Sequence, residues 1–580
     1  MVAKVNNIAQ NMNTLTAERL SSDTSSTNHN DIEFNIVRNK LENFQANILK
    51  DVEKRMSGMI DEVLQEIRQQ KLQKNEFKNF ANDRHKHVSE NTWSNRVVTG
   101  VEKNSKTYVG PTDSTDNALK NNENLTSVID KRKDLCSGKK RVLPDKVFTT
   151  RESYLTALLE VDHMKTIYHI FFIILIVLFM NSMCYDYFVE GRINFGLGTF
   201  KSGMDKMHYV LGIWCLQHVV VFTLYYALKG WALVRSKLLT QKHLLSFWTN
   251  SCLIAFISLQ LLFGYVASVL CLKLDLPFIS ASVLLLESTR LFMKMHAFVR
   301  TNAARVVAGK AKVDSDDHVL ARLPTFGTYL YFLFAPTLIY RDHYPRTNQI
   351  RWRFALTRFM EVVAIAFLYS YIHERHIKVH FFDYGKEQLT EYTLIVKFFG
   401  MLMPSTIIFL CGFYLILHSW LNFTAELLRF GDRMFYKDWW TAYTYEAYYR
   451  NWNVVVHDWL YEYIYKDFYT HIFKGSKLGA SLMVFLVSAL VHEHILSYAF
   501  QIFFPVLFVF FGVVGVALVF ITRQFSKNMG NIFLWFSLIF GNGMIFSLYC
   551  MEYYSRFNCP KVYSSWTDYL IPNSLNCYKN

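Results

Sequence analysis

Two stretches of this chain hold side chains able to take up and return a proton. In LMVFLVSALVHEHILSYAF, His492, Glu493 and His494 interrupt an apolar run. Upstream, in YYRNWNVVVHDWLYEYIYKDF, Asn453 and His457 stand among aromatic rings and cations. A titratable group inside an apolar helix at membrane depth costs about 2.5–3.5 kcal/mol or more, so it is there to pair or to work. Histidine suits a general base near neutral pH, because its unperturbed pKa lies close to that range. His492 is therefore the candidate base. The order His-Glu-His does not match HExxH, and the nine cysteines include no CxxC pair, so no metal site is expected. The sequence also lacks a GxSxG elbow, a Walker-type loop and a Rossmann fingerprint. What remains is a base without an evident enzyme nucleophile. That suits direct transfer, in which the acceptor substrate itself loses the proton as it attacks.

The elements that carry such a base must lie in a membrane. Of the 580 residues, 52% are hydrophobic, and they fall in runs of about 20, the length that crosses a bilayer. The runs begin near Tyr168, Tyr209, Phe247, Leu276, Phe354, Tyr392, Gly479, Pro505 and Asn531, about nine on that criterion. Arg290, Lys294, Arg358 and Glu361 interrupt the fourth and fifth; charges there should face protein or a water-filled cavity rather than lipid. The net charge of +15 sits mostly in segments flanking the runs, which assigns it to topology and to an anionic co-substrate rather than to nucleic acid. No basic stretch followed by an apolar one stands at the N-terminus, so the first span is expected to do the targeting. An odd number of spans with basic loops in the cytosol puts the N-terminus in the cytosol and the C-terminus in the lumen. Cys559 and Cys577, in the polar tail, then lie on the oxidising side, where a disulfide between them is expected.

Residues 1–150 read as a cytosolic, largely disordered region, polar and with basic runs. Within it, 32–70 carries Val37, Leu41, Phe44, Ile48, Val52, Met56, Met59, Val63 and Ile67 at spacings of three or four. This predicts an amphipathic helix that either pairs with another copy or lies on the membrane or on its own protein. The membrane domain is 151–580. Its loops at 300–353 and 422–478 are crowded with aromatic residues, interleaved in the second with Arg433, Lys437, Arg450 and Lys466. Such density on one side of the membrane predicts folded elements capping a cavity rather than linkers.

FYKDWW (435–440), YYRNWNVVVHDWLYEYIYKDF (448–468), SALVHEH (488–494) and YFLFAPTLIYRDHYPR (331–346) resemble the corresponding strings of the sterol O-acyltransferases, the cholesterol-esterifying branch of the membrane-bound O-acyltransferase superfamily. The likeness covers residues 145–580 or so. It implies an all-α polytopic membrane fold with about nine transmembrane helices and intramembrane tunnels, set in the endoplasmic-reticulum membrane and assembled as a homodimer or homotetramer. It implies transfer of a long-chain fatty acyl group from acyl-CoA, a co-substrate rather than a resident cofactor, to the 3-hydroxyl of a sterol. His492 matches the family's catalytic histidine and Asn453 its partner asparagine. Arg450, His457, Tyr465, Lys477 and Ser488 match CoA-contacting positions, and Phe435, Tyr436, Asp438, Trp439 and Trp440 match the scaffold motif.

One position departs from the pattern. Where the motif has asparagine after the two tryptophans, this chain has Thr441, which cannot offer an amide, so a hydrogen bond made there must be rebuilt or lost. Two alternatives keep the same fold. One is a diacylglycerol O-acyltransferase, against which Asp438 and YRDHYPR speak. The other is a membrane protein that binds sterol or acyl-CoA without turnover, against which the intact Asn453 and His492 speak.

Overall fold

The computed structural model describes residues 143–191, 195–309, 311–312, 321–386, 390–559, 571–575 and 577, all within the unit Gly138–Asn580. The helix expected at 32–70 lies outside them. Among the described residues the regular elements are helices, apart from one pair of two-residue strands, Ala311–Lys312 with Ala321–Arg322.

In hydrocarbon a chain segment must satisfy its own backbone N–H and C=O groups, so apolar runs of spanning length become helices. The first four runs form α1 (Asp162–Tyr185), α2 (Met207–Lys237), α3 (Lys242–Lys273) and α4 (Phe278–Val307). A short helix, α5 (Phe326–Phe334), follows in the loop, then α6 (Trp352–Ile372) and α7 (Glu391–Phe413). The second long loop folds into α8 (Tyr445–Trp452) and α9 (Val454–Trp459), so both loops are structured. Next come α10 (Lys477–Phe500), α11 (Gly515–Ile521) and α12 (Lys527–Asn558).

Among the described residues, seven helices are long and apolar enough to cross a membrane: α1, α2, α3, α6, α7, α10 and α12, some with the turns that continue them. The other two expected spans differ for separate reasons. The helix leading into α11 is short, because the chain breaks at 501–505. α4 is 30 residues long, but its charges serve protein rather than lipid. Arg290 pairs with Glu287 at 2.6 Å and donates to the Leu333 carbonyl at 2.6 Å. Lys294, 1% exposed, donates to the carbonyls of Phe332, Leu333 and Ala335 at 2.6–2.8 Å. Those carbonyls are the orphan acceptors at the C-terminal end of α5, so Lys294 caps that helix.

α4 packs against α2, α3 and α10, while α7 packs against α12. The segment ahead of α1 is tied across the 422–478 loop by Lys146–Asp458 at 2.6 Å and Arg151–Asp432 at 2.7 Å. Between these ties, Phe148 stands edge-on to Tyr344, ring centroids 5.2 Å apart. At the far end Cys559 and Cys577 are joined by a disulfide. The buried Glu552 of α12 accepts from the backbone N–H of Asn573 and Ser574, both at 3.0 Å, which folds the tail onto that helix.

Several helices change pitch. Tyr414–Trp420, Leu460–Tyr465, Phe468–Ile472 and Phe508–Val514 are π-helical. Such turns are rare and recur at functional sites. Here they carry His418, Tyr465 and Phe511.

Candidate active site

α10 begins with its N-cap, Ser476, accepting from Gly479 N at 3.3 Å, and runs to the His-Glu-His triplet. His492 Nδ1 lies 2.7 Å from the carbonyl oxygen of Ser488, one turn back. A carbonyl only accepts, so Nδ1 carries the hydrogen and the lone pair is on Nε2, the form a general base needs. The ring packs at 5.4 Å on Phe511 and keeps accessible surface, whereas Ala489 (0%) and Glu493 (6%) are buried.

The next two residues point elsewhere, as the 100° step of a helix requires. The Glu493 carboxylate accepts from Phe508 N at 2.9 Å, Ser497 Oγ at 3.2 Å and Tyr549 Oη at 3.3 Å. His494 Nε2 lies 2.9 Å from Ser268 Oγ on α3, whose own hydrogen goes to the Gly264 carbonyl at 3.0 Å. His494 therefore donates through Nε2, the opposite tautomer to His492. Of these two histidines it is His492 whose ring is held at Nδ1 and whose Nε2 stays free.

Asn453 sits where α8 ends and α9 begins. Its Oδ1 accepts from Val456 N at 3.1 Å, capping α9, an arrangement asparagine favours. Its Nδ2 has no hydrogen-bond partner among the described residues, leaving two donors available, and no hydrogen bond joins it to His492. The chain then turns through Leu460–Tyr465, which packs against α10.

His457 faces Asp458, Nδ1 to Oδ1 at 3.4 Å, and the other carboxylate oxygen takes Lys146. Burial pushes the Asp458 carboxyl up, but donation from His457 and Lys146 outweighs it and holds the group below the usual carboxylate range. Tyr465 is the middle of a stacked column, 5.4 Å from Tyr461 and 5.8 Å from Tyr469, with interplanar angles of 16° and 13°. Burial raises its phenol, and the flanking phenols add to the effect. Arg450 and Lys477 are exposed and have no side-chain partner among the described residues. Ser488 contributes its carbonyl to His492 rather than its hydroxyl.

The FYKDWW motif is scaffold. Phe435, Tyr436 and Trp439 are buried at 1%, 0% and 2% exposure. Trp439 packs on Trp452 at 4.6 Å, Phe413 at 5.1 Å and Trp535 at 5.6 Å. The Trp440 carbonyl accepts from Asn531 Nδ2 and Trp535 Nε1, each at 3.1 Å, pinning the motif to α12. Thr441 Oγ1 turns back onto Asp438, 2.8 Å from its carbonyl and 3.0 Å from Oδ2. The Thr441 hydroxyl thus finds its partners inside the motif.

Sequence reasoning missed His418, on the π-helical continuation of α7. It is fully buried, with Nε2 2.5 Å from Arg358 Nη1 and Nδ1 2.6 Å from Tyr436 Oη. Arg358 also pairs with Glu361 at 2.7 Å, and Glu361 accepts from Ser419 at 2.7 Å. The charges on α6 were visible in the sequence; the polar LHSW inside an apolar run was the signal that their partner lay on the next helix. Among the described residues no cluster of three or more His, Cys, Asp or Glu could hold a metal ion.

These features define a polytopic helical membrane protein with a histidine inside one of its spans whose ring is held at Nδ1. Residues 211–551 match the family described as MBOAT, membrane-bound O-acyltransferase family. The chain is 41% identical over 435 residues to sterol O-acyltransferase 1 of Mus musculus, covering 74% of this chain and 79% of that protein. It is 36% identical over 442 residues to sterol O-acyltransferase 2 of Rattus norvegicus, covering 75% and 81%. With sterol O-acyltransferase 2 of Homo sapiens it shares 35% over 444 residues, covering 75% and 80%. The chain belongs to the membrane-bound O-acyltransferase family and is an O-acyltransferase.

Proposed function

We propose that the protein transfers a long-chain fatty acyl group from acyl-CoA to the 3-hydroxyl of a sterol, with His492 as general base. The observation that carries this is the Nδ1–Ser488 hydrogen bond, which leaves Nε2 free to accept. The sterol oxygen gives its proton to Nε2 as it attacks the thioester carbon. The C–O bond forms, the C–S bond breaks, and the departing CoA thiolate takes the proton back from the imidazolium. Asn453 Nδ2 offers its donors to the charge growing on the carbonyl oxygen, an interaction worth about 2.7–4 kcal/mol in other acyl-transfer sites. CoA is polyanionic. Arg450 and Lys477 are available cations for its phosphates, the tyrosine column centred on Tyr465 suits its adenine, and His457 and Ser488 complete the CoA-facing set. The similarity to sterol O-acyltransferases supports the acceptor class; residence in the endoplasmic-reticulum membrane and assembly as a homodimer or homotetramer are part of the same proposal.

The test is purified protein in detergent with sterol, given labelled oleoyl-CoA and either cholesterol or diacylglycerol. Steryl ester that disappears in His492→Ala is the expected result. Undiminished turnover in that variant refutes the base assignment, ester formed only with diacylglycerol refutes the acceptor, and no ester with either acceptor refutes acyl transfer to both.

A further inference from the structure

Between α10 and α11 the chain breaks at 501–505 and restarts as Phe508–Val514, continuing into α11. A helix that starts inside a membrane has orphan N–H groups with no water to take them. Here one of them, Phe508 N, is met by the Glu493 carboxylate at 2.9 Å. Leu507 N is met by Tyr549 Oη at 3.2 Å, and that hydroxyl donates to the same carboxylate. A negative group at a helix N-terminus also suits the helix dipole.

The segment so anchored carries Phe511, whose ring is 5.4 Å from the His492 imidazole and edge-on to Tyr449 at 5.3 Å. One residue on, a Cβ at Gly512 would stand 3.0 Å from Ala489 Cβ, so the segment lies close against the His492 turn of α10. Two contacts therefore set the imidazole: Ser488 fixes its Nδ1 edge and Phe511 its face.

We propose that Glu493 is a positioning residue for the reaction, holding the start of the 508–521 helix and through it the Phe511 ring against His492. This rests on His492 being the proton acceptor. Glu493 touches no reacting atom; it acts through Phe511.

The experiment uses full-length protein purified in detergent with sterol and assayed with labelled oleoyl-CoA and cholesterol. The variants are Glu493→Ala, Glu493→Gln, Phe511→Ala and the double Glu493→Ala/Phe511→Ala, each checked for its elution profile and unfolding midpoint. The two single alanine variants are expected to lower kcat by about ten- to a hundredfold, the scale of a misplaced catalytic geometry, with both KM values within about threefold of wild type. The double variant should fall no further than the weaker single by more than about threefold, because both changes remove one shared contact. Glu493→Gln should recover most of kcat, since its amide oxygen still accepts from Phe508 N. Losses that multiply in the double variant overturn the proposal, as does a well-folded Glu493→Gln as slow as Glu493→Ala. If Glu493→Ala does not fold, Phe511→Leu and Glu493→Gln decide: kcat reduced in the first and near wild type in the second supports the idea, and the reverse sinks it. A wild type that makes no ester refutes acyl transfer itself, whereas an active wild type with a fully active Phe511→Ala refutes the positioning role alone.

Discussion

Replacing Tyr436 by phenylalanine removes one hydroxyl from the polar network beneath the FYKDWW motif. Arg358 can only donate, so His418 Nε2, 2.5 Å away, accepts. Nδ1 then carries the ring hydrogen and donates to Tyr436 Oη at 2.6 Å. Phenylalanine keeps the packing on Phe413, ring centroids 4.8 Å apart, and removes only the oxygen. His418 is 0% exposed, and its freed N–H finds no water. An unsatisfied buried donor costs about 1–3 kcal/mol, which is about five- to 150-fold in the folded population at 1.4 kcal/mol per decade. The expected result is a clear fall in the unfolding midpoint of detergent-purified protein, at about 2–4 °C or less per kcal/mol for a chain of this size. A Tyr436→Phe variant that unfolds within 1 °C or so of wild type would refute the reasoning, because the donor would then have another acceptor.

Thr441→Asn places the family residue at an exposed position whose hydroxyl only closes a turn onto Asp438; acyl transfer should stay within about threefold of wild type, since a solvated hydrogen bond contributes about 1 kcal/mol or less. Gly530→Ala should destabilise by about 1–3 kcal/mol, because the new methyl would overlap the Tyr443 carbonyl oxygen and force backbone apart; an unchanged unfolding midpoint would show that α12 can move there. For Asp458, whose carboxyl is held below its ordinary value, the pair with Lys146 stabilises the fold fully above about pH 4 and loses that contribution as pH falls through the depressed value. Asp458→Asn should therefore lower the midpoint by a constant amount from pH 5 to pH 8, and a gap that narrows with rising pH in this window would contradict the sign.

The apolar runs were readable because the bilayer imposes a length and internal hydrogen bonding on every span. Arg290 and Lys294 were readable as protein-facing charges for the same reason, although that they serve Glu287 and the end of α5 was not. His492 stood out as polar in an apolar run, and FYKDWW as an aromatic cluster. Glu493 and His494 looked like parts of the same chemistry; consecutive residues on a helix diverge by 100°, and these two proved to serve Phe508 and Ser268 instead. His418 escaped notice because its partners, Arg358 and Tyr436, are 60 and 18 residues away in the chain. The role of Asn453 as a helix cap was hidden within a segment that alternates turns and aromatic residues.

The π-helical turns have a genetic consequence. Such a turn holds one residue more than the α-turn it replaces. Loss of a single codon within Tyr414–Trp420 would let that stretch close into an ordinary α-turn and leave everything after it facing nearly as before. Asn422, bonded to Ser153 at 3.1 Å, and Glu426, bonded to Arg433 at 2.5 Å and Arg351 at 2.9 Å, are both fully buried and would keep facing their partners. An in-frame deletion of one residue there should thus lower the unfolding midpoint less than the same deletion in the uninterrupted α12, where loss of one residue turns everything after it by about 100°.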